Sequence, residues 1–294
     1  MKRIAVAAIA VALAGLLGGC GVKVGDGDLT NDWAMLPAAK VPEPQAGFCW
    51  TTSATEASAR TIYLDRATCD ATHTFETVKV GHFTGSAASA DTAPEGAALK
   101  DAWADCDRAA GDYLGGDWQS GRVFVTVTRP TNAEWHGGGR FYSCNVAAVR
   151  TEGGEFDPRR DSLKGALAGD GKLRLGCGNQ VGTTSTSWDD ISPVACTDAH
   201  DVEYVGWVSS PSDTYPADDK SYDAAFGKTC EAKMLSYIGM SRSHLSSQRA
   251  LSFGYWMTSG KDEWAAGNHS AHCYLMLDKK KINRSLKGAG DTTV

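Results

Sequence analysis

The chain has 294 residues, 29 Lys and Arg against 35 Asp and Glu, and a formal net charge of −6. Without Lys2 and Arg3 the balance falls to 27 against 35, a net of −8. A moderately acidic surface of this kind favours solubility and excludes a nucleic-acid grip built on phosphate contacts.

Reading from the first residue, Lys2 and Arg3 precede an uncharged apolar run, Ile4 to Leu17, and then Leu17-Gly18-Gly19-Cys20. A positive start, an apolar stretch and small residues at its end are the parts of a secretory signal. A cysteine right after the small residues resembles a lipobox, so residues 1–19 are expected to be a lipoprotein signal peptide. Cys20 is then the lipidated N-terminus of the mature chain, held at the extracytoplasmic face of the cell membrane. The run is shorter than the roughly 20 residues that span a bilayer comfortably. Two acyl chains, at about 0.8 kcal/mol per buried methylene, anchor stably. Residues 20–45 carry Gly, Asp, Asn and three prolines and read as an extended spacer. Asp26-Gly-Asp28 and Asp32 lack the spacing and terminal Glu of a calcium loop.

Beyond Cys20 stand eight cysteines: Cys49, Cys69, Cys106, Cys144, Cys177, Cys196, Cys230 and Cys273. An even number in an exported chain reads as a disulfide set, and the absence of CxxC removes support for a zinc ribbon or a thioredoxin-like site. Their spacings form two groups, with steps of 20, 37 and 38 residues and then 19, 34 and 43. The surroundings recur as well. Cys69-x3-His73-x2-Glu76 matches Cys196-x3-His200-x2-Glu203. Cys106-x6-Tyr113-x-Gly115 matches Cys230-x6-Tyr237-x-Gly239. Trp135 precedes Cys144 by nine residues, as Trp264 precedes Cys273. Three patterns in the same order point to a duplication. The expected map is one domain over 46–150, a linker over 151–171, a second domain over 172–280 and a polar tail over 281–294. One helical turn is expected over 162–168.

Within the first unit, strands are expected before Cys69, over 77–83, over 123–128 and over 141–149. A helix is expected over 94–115, where Leu99, Trp103, Cys106, Ala110 and Leu114 recur every three or four residues until Gly115-Gly116 stops it. In the second unit Tyr222, Phe226, Cys230, Met234 and Tyr237 carry the same period, with strands over 204–208, 251–257 and 272–277. The fold class is therefore α+β: two tandem disulfide-stapled domains, each with one main helix on a small antiparallel sheet. Eight cysteines allow 105 pairings. Equal bonding within each unit leaves three, of which Cys49–Cys69, Cys106–Cys144, Cys177–Cys196 and Cys230–Cys273 are favoured because they staple neighbouring strands and pin the helix to the last one.

These residues resemble the septum-formation-related domain family of exported actinobacterial proteins. The resemblance rests on C-x3-H-x2-E, the cysteine-bearing helix ending in Tyr-x-Gly, and the Trp-to-Cys final strand, and it covers both units. The segment from Ser162-Leu-Lys-Gly-Ala into Leu175-Gly-Cys177 fits it too; Gly47-Phe-Cys49 followed by Trp50 departs from it. It implies an envelope location and a link to cell division, and no reaction.

His73 with Glu76 and His200 with Glu203 are the candidate binding residues, since a His and a Glu close together bind metal, move a proton or form a charged hydrogen bond. Two ligands fall short of a metal site, so no metal or cofactor is expected and the pairs are read as braces for the loop after the disulfide. Trp135 and Trp264 are either platforms for a glycan or peptide or core aromatics capped by a turn. His269 and His272, three apart, would point to opposite faces of a strand. No G-x-S-x-G, no H-E-x-x-H and no free cysteine nucleophile is present. The expectation is a non-catalytic envelope lipoprotein that binds a protein or cell-wall polymer. A solute- or metal-binding lipoprotein, with its ligand between the repeats, is the alternative, and a wall hydrolase comes third.

Overall fold

The structure is a computed structural model that describes residues 40–51, 65–153, 155–182 and 189–291. The expected signal peptide, Cys20 and most of the spacer lie outside them. Among the described residues no helix is long and apolar enough to cross a membrane. From Lys40 on, the described residues cluster as one compact unit.

Two five-stranded antiparallel sheets carry the chain. The first comprises β1 (Cys49–Trp50), β2 (Arg66–Ala67), β3 (Phe75–His82), β4 (Val123–Thr128) and β5 (Phe141–Ala148), in the order β2-β1-β3-β5-β4. The second comprises β6 (Cys177–Val181), β7 (Asp190–Val194), β8 (Val202–Ser209), β9 (Leu251–Met257) and β10 (Ser270–Leu277), in the order β7-β6-β8-β10-β9. Strand for strand, the two orders coincide. So does an irregularity. The register of β3 on β5 skips Val78 beside Cys144, and that of β8 on β10 skips Val205 beside Cys273. A bulge at that point turns the strand and raises its local twist.

Each sheet packs one helix. Helix α1 (Lys100–Leu114) turns Ala102, Trp103, Cys106, Ala110 and Leu114 inward and stops at Gly115, whose φ of 74° is left-handed. It is preceded by a 3-10 turn over Gly96–Leu99, so the α-helix starts later than the expected residue 94. Pro94 fills the extended approach instead, as the loss of its N–H allows. Helix α3 (Lys228–Ile238) buries Cys230, Met234, Leu235 and Ile238 and stops at Gly239, φ 76°. It continues without a break from a helical turn, Asp219–Tyr222, through a π-helical stretch, Asp223–Gly227. Among the described residues, four short helices fall outside the expected elements: Gly85–Ala88, α2 (Asn132–His136), Arg242–Leu245 and α4 (Lys261–Ala265), of which α2 and α4 each bury one tryptophan. Thr131 and Glu134 close a reciprocal capping box that makes so short a helix stable.

The four disulfides join Cys49–Cys69, Cys106–Cys144, Cys177–Cys196 and Cys230–Cys273, the favoured set. The second and fourth pin α1 to β5 and α3 to β10. Leu114, Trp118, Val125, Val146, Leu163 and Leu167 fill the core under α1. Met234, Ile238, Leu251, Leu275 and Leu286 do so under α3.

Leu163, Leu167 and Leu286 correct two expectations. Segment 151–171 is no free linker, and 281–291 no loose tail. Each returns to its sheet and helix. His73 bridges Arg159 and His200 bridges Ile282, while Leu163 and Leu286 are wholly buried. Residues 162–168 form turns rather than the expected helical turn. Their glycines and polar residues hid single leucines that have a core to enter.

Candidate functional site

Glu76 and Glu203 stand at the starts of β3 and β8, beside the buried ends of β1 and β6. Each is 1% exposed. An ionised carboxylate in such a place must be compensated by donors and charge. Around Glu76, Oε1 faces His73 Nε2 at 3.2 Å and accepts from the Leu163 backbone N–H at 2.7 Å. Oε2 accepts from the Tyr113 hydroxyl at 2.5 Å and from Ser162 Oγ at 2.9 Å. Around Glu203 the same four partners recur. Oε1 faces His200 Nε2 at 3.3 Å and accepts from Leu286 N–H at 2.8 Å. Oε2 accepts from the Tyr237 hydroxyl at 2.8 Å and Ser285 Oγ at 2.7 Å.

The imidazoles are held just as closely. His73 Nδ1 lies 2.9 Å from the Ala71 carbonyl and His200 Nδ1 2.8 Å from that of Asp198. Both rings are fully buried. Each ring thus bridges the loop after a disulfide to a carboxylate, with an oxygen acceptor at either nitrogen. The carbonyl accepts from Nδ1–H, and a second proton lies between Nε2 and the carboxylate. Tyr113 is pushed up to about 12 by burial and by its bond to Glu76, and Tyr237 is raised for the same reasons, so both stay donors.

Four chain segments meet at each site: the His-x2-Glu strand start, the Tyr before the glycine cap of the helix, the cysteine strand and a Ser-Leu turn after the last strand. The Tyr and Ser-Leu partners were not among the expected site residues. A signal for them stands in the chain, for Ser162-Leu-Lys-Gly-Ala166 is repeated as Ser285-Leu-Lys-Gly-Ala289. The turn keeps the same bonds in both places: Gly165 N–H donates to Tyr113 O at 2.9 Å and Gly288 N–H to Tyr237 O at 2.9 Å.

Trp135 and Trp264 are each 1% exposed and offer no open ring face. Trp135 Nε1 donates to Ala90 O at 2.7 Å, and the Arg140 guanidinium lies 4.0 Å over its ring. Trp264 stacks on His269 at 4.6 Å and meets Tyr215 and Phe226 edge-on. His272 lies apart from His269, on β10, where its Nδ1 pairs with Glu152. That contact belongs to the junction of the two sheets. There Tyr204 OH donates to Gln119 O at 2.8 Å, Trp207 Nε1 to Asp117 at 2.5 Å, and Lys100 Nζ to Asp213 at 2.9 Å. The six candidate binding residues are thus buried rather than set along an open cleft between the two sheets. An open cleft of about 530 Å³, lined by residues between Ser86 and Asp101, holds none of them.

Cys49, His73 and Glu76 place one donor atom each within 4.8 Å of one another, and so do Cys177, His200 and Glu203. In the oxidised protein the sulfurs are engaged in disulfides.

An α+β fold stapled by four disulfides, with two five-stranded sheets and a buried His–Glu–Tyr–Ser network beside each, defines a class of compact disulfide-bonded proteins. A family model described as septum formation matches residues 46–273. The chain belongs to the septum-formation family, and that membership links it to septum formation. Comparison with curated proteins and with solved structures finds no match.

Proposed function

We propose that the chain is a lipid-anchored envelope protein built from two tandem copies of one module, which acts without catalysis as a scaffold for a protein or cell-wall partner at the septum. The supporting observation is the closed carboxylate network. The groups best suited to acid–base or ligand chemistry, His73, Glu76, His200 and Glu203, are buried and bonded to the chain's own backbone, tyrosines and serines. A group so engaged holds segments together and is withheld from a substrate. The recurrence of strand order, bulge, disulfides, network and Ser-Leu turn supports the duplication. The lipobox at Cys20 supports anchoring, and family membership supports the septal setting.

The test is crosslinking in the native membrane, followed by purification through the lipidated chain. Enrichment of division or wall-assembly components, lost when Cys20→Ser releases the protein from the membrane and from labelled palmitate, is the expected result. An undiminished palmitate label on Cys20→Ser, or peptidoglycan cleavage abolished by His200→Ala, sinks the proposal.

A further inference from the structure

The structure assigns a second state to the two sites: we propose that reducing the outer disulfides, Cys49–Cys69 and Cys177–Cys196, turns each into a zinc site made of two cysteines, His and Glu. This goes beyond the scaffold reading and stands independently of it.

Three observations carry it. The first is access. Cys106, Cys144, Cys230 and Cys273 are all 0% exposed, so the inner disulfides are sealed. In the outer pair Cys49 and Cys177 are buried, but Cys69 and Cys196 are partly exposed. Thiol–disulfide exchange needs a sulfur that a thiolate can reach, and exposed bonds are the labile ones.

The second is donor geometry. A tetrahedral zinc at about 2.0–2.2 Å from nitrogen and oxygen donors holds them roughly 3.3 Å apart. His Nε2 and Glu Oε1 already stand 3.2 Å apart in the first site and 3.3 Å in the second. The ion takes the place of the proton between them. The sulfurs of Cys49 and Cys177 lie within 4.8 Å of a donor atom on the His and on the Glu, and Cys69 and Cys196 start one S–S bond further out, so reduction must let both side chains turn toward the ion.

The third is the outer shell. Metal-binding histidines donate their second N–H to a carbonyl or carboxylate, which fixes the tautomer and the ring. Here Nδ1 already faces Ala71 O or Asp198 O. The carboxylate is held by Tyr and Ser on Oε2 and by a backbone N–H on Oε1. A site this well oriented is present twice in the chain.

The reaction balances as follows. A thiolate of a dithiol reductant attacks the sulfur of Cys69, the less buried partner, and the Cys49–Cys69 bond breaks with its electron pair on Cys49. The reductant's second thiolate then attacks its own sulfur in the mixed disulfide and releases Cys69. The reductant ends as a disulfide, two electrons have passed to the protein, and two thiolates are free. Zinc then binds both sulfurs, His73 Nε2 and Glu76, displacing the shared proton to solvent. Cys196, Cys177, His200 and Glu203 follow the same course.

The test treats the intact lipidated protein with a dithiol under native conditions, alkylates one portion for peptide mapping, and titrates another with Co²⁺ and then Zn²⁺. Expected are alkylation at Cys49, Cys69, Cys177 and Cys196 alone, and two equivalents of cobalt with the visible bands of tetrahedral thiolate coordination. Zinc should displace them, and His200→Ala should leave one equivalent. Zinc-edge absorption on the reduced wild type, which needs no variant, should show sulfur and imidazole neighbours. A folded, reduced protein that takes up no cobalt overturns the proposal. So does equal uptake by the oxidised protein, reduction of all four disulfides together with loss of the fold, or zinc without imidazole neighbours.

Discussion

Glu203 gathers four partners around one buried carboxylate, and their contributions differ in kind. Removing the carboxylate strands the donors of Tyr237, Ser285 and Leu286 and leaves the His200 proton without its acceptor. Breaking a buried pair costs about 3–5 kcal/mol. Deleting one hydroxyl leaves the charge with its other partners, and a hydrogen bond to a charged group is worth about 1.5–3 kcal/mol. Glu203→Ala should therefore lower the urea midpoint by more than Tyr237→Phe does, and the same order should hold for Glu76→Ala against Tyr113→Phe. Equal, small shifts for all four variants would show that the network contributes little to stability. His73, Glu76, His200 and Glu203 were legible in the sequence as a repeated spacing. Tyr113 and Tyr237 were legible only as repeat markers, because their bonds join residues that stand 37 and 34 apart.

Strands and helices were readable where a period was long enough to see. Val123–Thr128 sets a valine at every second position and is a strand over those residues, and Leu251–Met257, its counterpart in the second unit, is a strand too. Helices α2 and α4 span five residues each, too few for a helical period, and only their capping marks them. Segment 223–227 keeps the four-residue spacing of Tyr222, Phe226 and Cys230 yet is π-helical, which the spacing alone does not distinguish from an α-helix. The glycine caps give a prediction for these elements. Gly239 sits at φ 76°, and an added Cβ would find no atom nearer than 3.9 Å. Gly239→Ala should thus cost the left-handed penalty alone, about 1–2 kcal/mol. Gly115→Ala should cost more, since its Cβ would stand 3.3 Å from Ala168 Cβ and Gly165 Cα. Thermal unfolding of the two variants gives the order directly.

Over the whole molecule, each sheet is completed by chain that follows its last strand. The first sheet takes 159–168 from the stretch between the halves, and the second takes 282–291 from the C-terminal end. Gly290 N–H on Ile238 O and Asp291 on Ser241 tie the latter to the end of α3. A chain ending at residue 280 loses Leu286 from the core and two donors from Glu203. Its second half should unfold at a lower temperature, while the first half keeps its transition near the wild-type value. A single unshifted transition in calorimetry would show that the terminal segment is dispensable. Across the junction, the aromatic back of the second sheet meets polar groups of the first half: Tyr204 on Gln119, Trp207 on Asp117 and His272 on Glu152.

Local order along the chain was enough for the α+β class and the repeated spacing, and it narrowed the disulfides to three sets with one favoured, because periodicity and cysteine steps are properties of neighbours in sequence; the fold decided among the three. The burial of Trp135 and Trp264, the closing of each Glu by a Tyr and a Ser-Leu turn, and the packing of 151–171 and 281–291 were settled only by folding. Each of those depends on segments distant in the chain meeting at one point, where a buried carboxylate needs every donor within reach and an isolated leucine finds a core to enter.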